Sequence, residues 1–235
     1  MPDLLQELNG TLVVSCQADP GSPLAEPAHL SAIAASVVAG GASAIRTEGI
    51  ANIRAIKARV QVPVIGLVKA QRTNTEVYIT PSLDDVHQIA DAGADIIAFD
   101  ATDRPRPANV ADLVRAVHEQ GRLAMADIST VDEARFALAS GADVVSTTMA
   151  GYTSYSRGDA GPDFDLMRAL QQAGLPFAAE GRVWTIEEAL RCFDLGASFI
   201  VVGSAITRPT MITQRFTQGI AARAGAAPGQ RKALS

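Results

Sequence analysis

DAGADIIAFDAT, residues 91–102, reads as the end of a helix, a Gly-Ala turn, an acidic residue and an apolar run that stops on Asp100. Glycine is the residue that closes a helix C-terminus in the left-handed conformation. A short apolar run bounded by such a turn is a strand buried on both faces. Strands of that kind belong to parallel sheets covered by helices. The pattern recurs in VAGGASAIRTEG (38–49), ASGADVVSTTMA (139–150) and DLGASFIVVGSA (194–205). Gly41, Gly93, Gly141 and Gly196 thus fall about fifty residues apart, and the chain repeats one structural unit.

Further strands are predicted in TLVVSCQA from Thr11, VPVIGLVK from Val62, LAMADIS from Leu123 and PFAAEG from Pro176. The full set is eight, starting near residues 11, 42, 62, 94, 123, 143, 176 and 199. Ser82 with Asp85, Thr130 with Glu133 and Thr185 with Glu188 have capping-box spacing and mark helix starts. Asp163 opens another helix, DFDLMRALQQAG. Eight strand–helix units in 235 residues predict an α/β fold, a single (β/α)8 TIM barrel occupying residues 1–235. An open doubly wound sheet would want a Gly-rich dinucleotide turn after the first strand, and SCQADPGSPL has none. Residues Pro2 to Leu8 are expected to form a short N-terminal helix, and residues 224–235, rich in Ala, Gly and Pro, a frayed tail.

Composition narrows the function. Hydrophobic residues are 48% but aromatics only 5%, so the core is expected to be aliphatic. The net charge is -5 and no basic run precedes Arg231 and Lys232, which argues against nucleic-acid binding. Cys16 and Cys192 form no Cys-x-x-Cys motif, so neither a disulfide framework nor a zinc site is expected. The start MPDLLQELNG lacks the basic and apolar regions of a secretory signal, and no stretch is long and apolar enough for a membrane span. The expectation is a cytoplasmic protein without membrane contact.

Active sites of such barrels lie at the C-terminal ends of the strands. Those ends carry Gln17, Arg46 with Glu48, Lys69, Asp100, Asp127, Thr147 with Thr148, Glu180, and Gly203 with Ser204. AEGRVWT and VVGSAITRP follow the last two strands, where many barrels bind phosphate through backbone N–H groups. Gly181, Gly203 and Ser204 allow close backbone approach there, Arg208 adds a charge, and Pro209 suits the first turn of the last helix.

Lys69 is the unusual group, an amine ending the buried run VPVIGLVK. Most strand-end lysines merely snorkel to water. Two chemical readings compete with that: a Schiff-base aldolase, or a proton-transfer base paired with an acid such as Glu180 across the mouth. A base and an acid on opposite faces of one carbon suit inversion of a stereocentre. The residues alone leave aldolase and epimerase open. A non-catalytic sugar-phosphate binding protein is the third reading, and binding alone needs neither Lys69 nor Glu180.

His29, His87 and His118 fall within predicted helices, away from the strand ends. Asp100, Asp127 and Glu180 are the oxygen donors a magnesium ion would want, but Lys69 and Arg46 oppose a cation there, and no metal is expected. Trp184 is placed either on the phosphate loop or packed against strand eight. GYTSYSRGDAGPD, residues 151–163, is read as a mobile loop over the mouth.

From about Gly10 to Gly219 the chain resembles the N-acylglucosamine-6-phosphate 2-epimerases, also called N-acetylmannosamine-6-phosphate 2-epimerases. The motifs that carry the resemblance are SCQA at Ser15, IRTEGIANI at Ile45, ADIIAFDATDRPRP at Ala94, MADISTVDEA at Met125, TTMAGYT at Thr147, AEGRVWTIEEA at Ala179 and VVGSAITRPTMITQRF at Val201. The resemblance implies a cofactor-independent epimerase of sialic acid catabolism that interconverts N-acetylmannosamine 6-phosphate and N-acetylglucosamine 6-phosphate. It implies Lys69 as the base at the acetamido-bearing carbon and Glu180 as partner acid/base. Gln17, Arg46 and Asp127 would hold the sugar and its acetamido group. The loops at Gly181, Arg182, Gly203, Ser204 and Arg208 would hold the phosphate. It also implies a homodimer. One segment departs from the family: members usually read Lys-Arg-Asp-Tyr-Pro after strand three, whereas this chain reads KAQRTNTEVYITP, keeping Lys69 and the later Ile-Thr-Pro.

Overall fold

The computed structural model describes residues 4–19, 21–73, 75–158 and 161–225. Eight strands appear where the apolar runs are: β1 (Leu12–Cys16), β2 (Ala44–Glu48), β3 (Val64–Leu67), β4 (Ile96–Asp100), β5 (Leu123–Asp127), β6 (Val144–Ser146), β7 (Phe177–Glu180) and β8 (Ala197–Val202). Each pairs in parallel with the next, and β8 closes on β1 through Val13 opposite Val201. The architecture is a closed (β/α)8 barrel, and the open doubly wound sheet is ruled out. Strand starts agree with expectation to within two residues, the largest shifts being at β2, β3, β4 and β8.

The helices are α1 (Leu4–Leu8), α2 (Pro27–Ala39), α3 (Ile50–Lys57), α4 (Leu83–Asp91), α5 (Val110–Glu119), α6 (Val131–Ala139), α7 (Phe164–Gln172), α8 (Ile186–Asp194), α9 (Ser204–Thr207) and α10 (Pro209–Gly225). Ser82, Thr130 and Thr185 each accept from the backbone N–H three residues on, and the acid at that position returns a bond, completing three capping boxes. Asp163 caps α7 through the Leu166 N–H. Gly41, Gly93, Gly141 and Gly196 end their helices at φ of 104, 97, 97 and 89°, as the repeat requires. Residues Pro2 and Asp3 lie outside the described residues. Of the tail expected to fray from residue 224, residues 224 and 225 end α10, and 226–235 lie outside the described residues.

Alternation along each strand divides the core in two. One set, including Val14, Ile45, Val64, Ile97, Phe99, Ala126, Phe177 and Ile200, faces the helices. The other, including Val13, Ala44, Ile65, Leu67, Ile96, Ala98, Met125, Val144, Ala178, Phe199 and Val201, fills the barrel, with Leu8 of α1 plugging its lower end. The core is aliphatic as expected, apart from Phe99, Phe177 and Phe199. Cys16 is fully buried among the outward set, where burial pushes its thiol up to about 12.

Gly66 has a specific packing role. It sits on the outward face of β3, where an added Cβ would lie 2.8 Å from both Ala94 Cβ and Ile89 Cγ2 and 2.9 Å from Ile53 Cδ1. The absent side chain lets α3 and α4 close onto the sheet.

Candidate active site

The side-chain parity that fills the barrel also builds its mouth. Continuing the inward series two residues at a time past the last apolar layer reaches Ser15 and Gln17, Arg46 and Glu48, Lys69, Asp100, Asp127, Ser146 and Thr148, and Glu180. Strand register sets these groups side by side, with Asp100 opposite Asp127 and Asp127 opposite Ser146. Of these, Ser15, Gln17, Arg46, Lys69, Thr148 and Glu180 line a cavity of about 390 Å³ at the C-terminal end of the barrel. Of the predicted site residues, Gln17, Arg46, Lys69, Glu180, Gly181, Arg182, Gly203, Ser204 and Arg208 all line it. Asp127 is brought near but stands behind Arg46, fully buried.

On one side of the cavity, Lys69 Nζ donates to Gln17 Oε1 at 2.7 Å. Gln17 Nε2 donates in turn to Ser15 Oγ at 3.0 Å, which orients the amide with its carbonyl toward the amine. Burial lowers the Lys69 pKa. Glu48 opposes that shift, while Arg208 and Arg46 add to it. The amine is thereby shifted toward the neutral form that can accept a proton.

On the other side lies a buried charge cluster. Arg46 Nη2 donates to Asp127 Oδ2 at 2.7 Å and Nη1 to Asp127 Oδ1 at 3.2 Å, and Nη1 lies 3.2 Å from Glu180 Oε2. Thr148 Oγ1 touches both carboxyls, at 2.8 Å from Asp127 Oδ1 and 3.0 Å from Glu180 Oε2. Burial works against the Arg46 charge, but the Asp127 and Glu180 carboxylates outweigh it and hold its pKa above the usual value. Burial raises both carboxyls, while Arg46 pulls each down. Asp127 also raises Glu180, because two negative charges side by side oppose one another, and Asp100 does the same to Asp127. A buried acid that holds its proton is what a general acid needs near neutral pH.

The upper rim is made by the two glycine-bearing loops. Gly181 has φ of 113°, a conformation that favours glycine. Gly203 packs against Ser15, where an added Cβ would lie 3.2 Å from Ser15 Cβ. Arg208 reaches the rim and pairs with Asp19 at 3.1 Å. The Arg182 guanidinium is committed to backbone carbonyls, Nε to Gly161 at 2.8 Å and Nη1 to Ala150 at 2.7 Å, so it ties down both ends of the loop that follows β6. That loop also bonds Tyr155 Oη to Glu133 at 2.6 Å, and Tyr152 lines the cavity. Asp159 and Ala160 of this loop lie outside the described residues. Trp184 lines the cavity, and its indole also stacks with Arg215 of α10, the guanidinium carbon 4.9 Å from the ring centroid.

Asp100 does not face the cavity. It is fully buried, accepts from Thr102 and from Arg104 Nη2 at 2.6 Å, and lies 3.5 Å from Arg106, so ADIIAFDATDRPRP organises its own loop. His29, His87 and His118 lie in α2, α4 and α5, away from the mouth. Among the described residues, no group of three or more His, Cys, Asp or Glu side chains is placed to hold a metal ion.

Ser15 and Tyr78 are among the cavity residues that escaped the sequence reading. Ser15 was missed because it looks like one more strand residue. Tyr78 was missed because its segment folds back: Ala70 N–H donates to Tyr78 O at 2.8 Å and Thr80 N–H to Val68 O at 2.9 Å. Thr80 holds φ of 45° in this hairpin, secured by its hydroxyl on Ala98 O at 2.7 Å. In the departing segment, Arg72 bonds to Asp85 and Ser82 at the start of α4, so that part of the loop faces a helix cap.

Fold and site together define a barrel protein with an amine and a carboxyl facing one cavity, a constellation suited to proton transfer at carbon. The family described as "Putative N-acetylmannosamine-6-phosphate epimerase", NanE, matches residues 30–222, and the chain belongs to it. It is 45% identical over 218 residues to the "Bifunctional enzyme NanE/NanK" of Brucella melitensis, covering 93% of this chain but 42% of that enzyme, so it spans less than half of that relative's length. It is 45% identical over 217 residues to the "Putative N-acetylmannosamine-6-phosphate 2-epimerase" of Clostridium perfringens strain SM101, covering 91% of this chain and 98% of that one. The solved structure of the Clostridium perfringens N-acetylmannosamine-6-phosphate 2-epimerase superposes with a TM-score of 0.89 at 44% identity, over 91% of this chain and 95% of that one.

Proposed function

We propose that the chain interconverts N-acetylmannosamine 6-phosphate and N-acetylglucosamine 6-phosphate, without a cofactor, in amino-sugar (sialic acid) catabolism in the cytoplasm. The observation that carries the reading is the pairing of Lys69 with Glu180 across one cavity of a chain that belongs to the NanE family. Opening of the sugar ring exposes the carbonyl and makes the neighbouring proton acidic. Lys69 and Glu180 exchange that proton from opposite faces of the acetamido-bearing carbon, inverting it. Arg46 stabilises the enolate oxygen. Gln17, already fixed by Ser15, holds the sugar, and Asp127 acts through Arg46. The backbone at Gly181, Gly203 and Ser204, with Arg208, receives the phosphate, while Arg182 shapes the loop beside it.

The test is proton NMR with N-acetylmannosamine 6-phosphate in deuterium oxide. The expected result is the N-acetylglucosamine epimer with deuterium at the acetamido carbon. Absence of both epimer and exchange refutes the substrate assignment. Borohydride trapping of a substrate adduct on Lys69 would point to the aldolase reading instead.

A homodimer is part of the same reading. Ile186 and Leu190 on α8 and Phe216 and Ile220 on α10 are all more than half exposed, and α10 packs chiefly on α9. Such apolar helix faces are what an interface between two copies would cover. Sedimentation should give twice the chain mass, and Phe216→Glu should weaken that association. A monomer at micromolar concentration overturns it.

A further inference from the structure

Thr148 makes more contacts than its single proton can serve. Its Oγ1 lies 2.8 Å from Asp127 Oδ1, 3.0 Å from Glu180 Oε2 and 2.8 Å from Ser146 Oγ. A hydroxyl donates one hydrogen bond and accepts two. If it donated to both carboxylates it would favour ionisation of each, but it has one proton. Ser146 can donate to it. One carboxyl must then do the same, which requires that carboxyl to be protonated.

The surroundings decide which one. Asp127 accepts two guanidinium hydrogen bonds from Arg46, at 2.7 and 3.2 Å. Glu180 stands 3.2 Å from Arg46 Nη1 at ion-pair distance only, and Nη1 aims its bonds at Asp127 and Met125 Sδ. The carboxyl with the hydrogen bonds keeps the charge. We infer that Thr148 is a positioning residue that keeps the pair's proton on Glu180, donating to the Asp127 carboxylate and accepting from the Glu180 carboxylic acid. The inference rests on the epimerase reading for its consequence, but not for the proton's location.

The charged groups facing this proton come from several strands: Arg46 from β2, Asp127 from β5 and Lys69 beyond β3. Asp100 acts through Asp127, and Tyr78 through Arg46. With Glu180 neutral, Arg46 and Asp127 form a balanced pair. With both carboxyls ionised, one negative charge is left buried. The upward push of burial on both carboxyls agrees with one of them staying protonated.

The proton movements then balance. Neutral Lys69 takes the proton from the acetamido-bearing carbon and becomes an ammonium, leaving the C–H electron pair in the enolate. Glu180 gives its O–H proton to the opposite face of that carbon and becomes a carboxylate. Thr148 then rotates its proton toward Glu180. The reverse direction starts from the ammonium and carboxylate, and exchange with water interconverts the two enzyme forms.

The test combines infrared spectroscopy of the substrate-free protein with the pH dependence of turnover. At neutral pH the protein should show a protonated-carboxyl C=O band that Glu180→Gln removes. Thr148→Val should weaken that band, lower kcat about tenfold or more with little change in KM, and move the alkaline limb of the profile down by about one pH unit. Thr148→Ser should restore all three. The inference is overturned if Glu180→Gln removes no band, if Thr148→Val keeps the parent's pH limb, or if Thr148→Ser fails like the valine. The band with no epimerisation would support the inference and overturn the epimerase reading.

Discussion

Gly66→Ala tests whether the strand that leads to Lys69 is positioned by close helix approach. An alanine Cβ there lies 2.8 Å from Ala94 Cβ, 2.8 Å from Ile89 Cγ2 and 2.9 Å from Ile53 Cδ1. Carbon atoms settle at about 3.5–4.0 Å, so each neighbour must retreat by roughly 0.6 Å or more. Ile53 Cδ1 is a side-chain tip and can rotate away. Ala94 Cβ is fixed to the backbone and Ile89 Cγ2 to a branched carbon, so relief there means separating β3 from α4. Overpacking costs about 1–3 kcal/mol, and two contacts that cannot yield by rotation place this change at about 2–3 kcal/mol. For a chain of this size, each kcal/mol lowers Tm by about 2–4 °C, so a drop of about 5–10 °C is expected. Because Lys69 leaves the end of the same strand, turnover should also fall by about tenfold. Circular dichroism melts and the NMR assay read the two effects. A melting temperature within about 1 °C of the parent would refute the packing argument.

Other outcomes follow from the charges. Lys69→Ala should reduce turnover by at least about a hundredfold while leaving the fold intact, and near-normal turnover by NMR refutes its role as base. The Lys69 pKa is lowered from 10.5 and that of Glu180 raised from 4.5, so the pH profile of kcat should be a bell whose two apparent limbs both lie between those values. A limb outside that window contradicts the geometry. Lys69 also carries a stability sign. A lowered folded-state pKa means the charged amine costs stability at neutral pH, and the cost is relieved as pH rises through the folded value toward 10.5. The stability difference between parent and Lys69→Met should therefore shift in the parent's favour over that range, as urea titrations at two pH values would show. Arg46→Met removes the one cation serving two buried carboxyls and should cost about 3–5 kcal/mol at neutral pH. Acidification should recover part of that loss as the unpaired Asp127 carboxylate protonates, and a loss independent of pH would refute the cluster's energetics.

Much of this molecule follows from local rules acting on consecutive residues. Gly93 must leave the right-handed region to end α4, and the run from Ile96 to Phe99 has no polar side chain to offer water, so a buried strand follows. Four such units, with four further buried strands between them, leave little choice but a closed barrel. The mouth residues were also legible one by one, because a strand with an apolar body and a polar last residue names its own C-terminal end. Lys69, Arg46, Asp127 and Glu180 were found that way. The resemblance to the NanE family then narrowed the chemistry to one carbon.

What the sequence could not contain was which of these groups touch. Asp100 and Asp127 are equivalent by position on their strands, yet register and loop geometry give Asp100 to Arg104 and Arg106, and Asp127 to Arg46. Arg182 reads as a loop cation, but its guanidinium is spent on carbonyls of a segment more than twenty residues earlier. Tyr78 reaches the cavity because a hairpin folds back over the mouth. Thr148 becomes interesting only when barrel closure brings β5, β6 and β7 within hydrogen-bond distance of one hydroxyl. The physical reason is common to all of these. Helix caps and strand alternation depend on neighbours in the chain, so they can be read along it. Partner choice among buried charges depends on distances of a few tenths of an ångström across the barrel, and only the closed tertiary structure sets those.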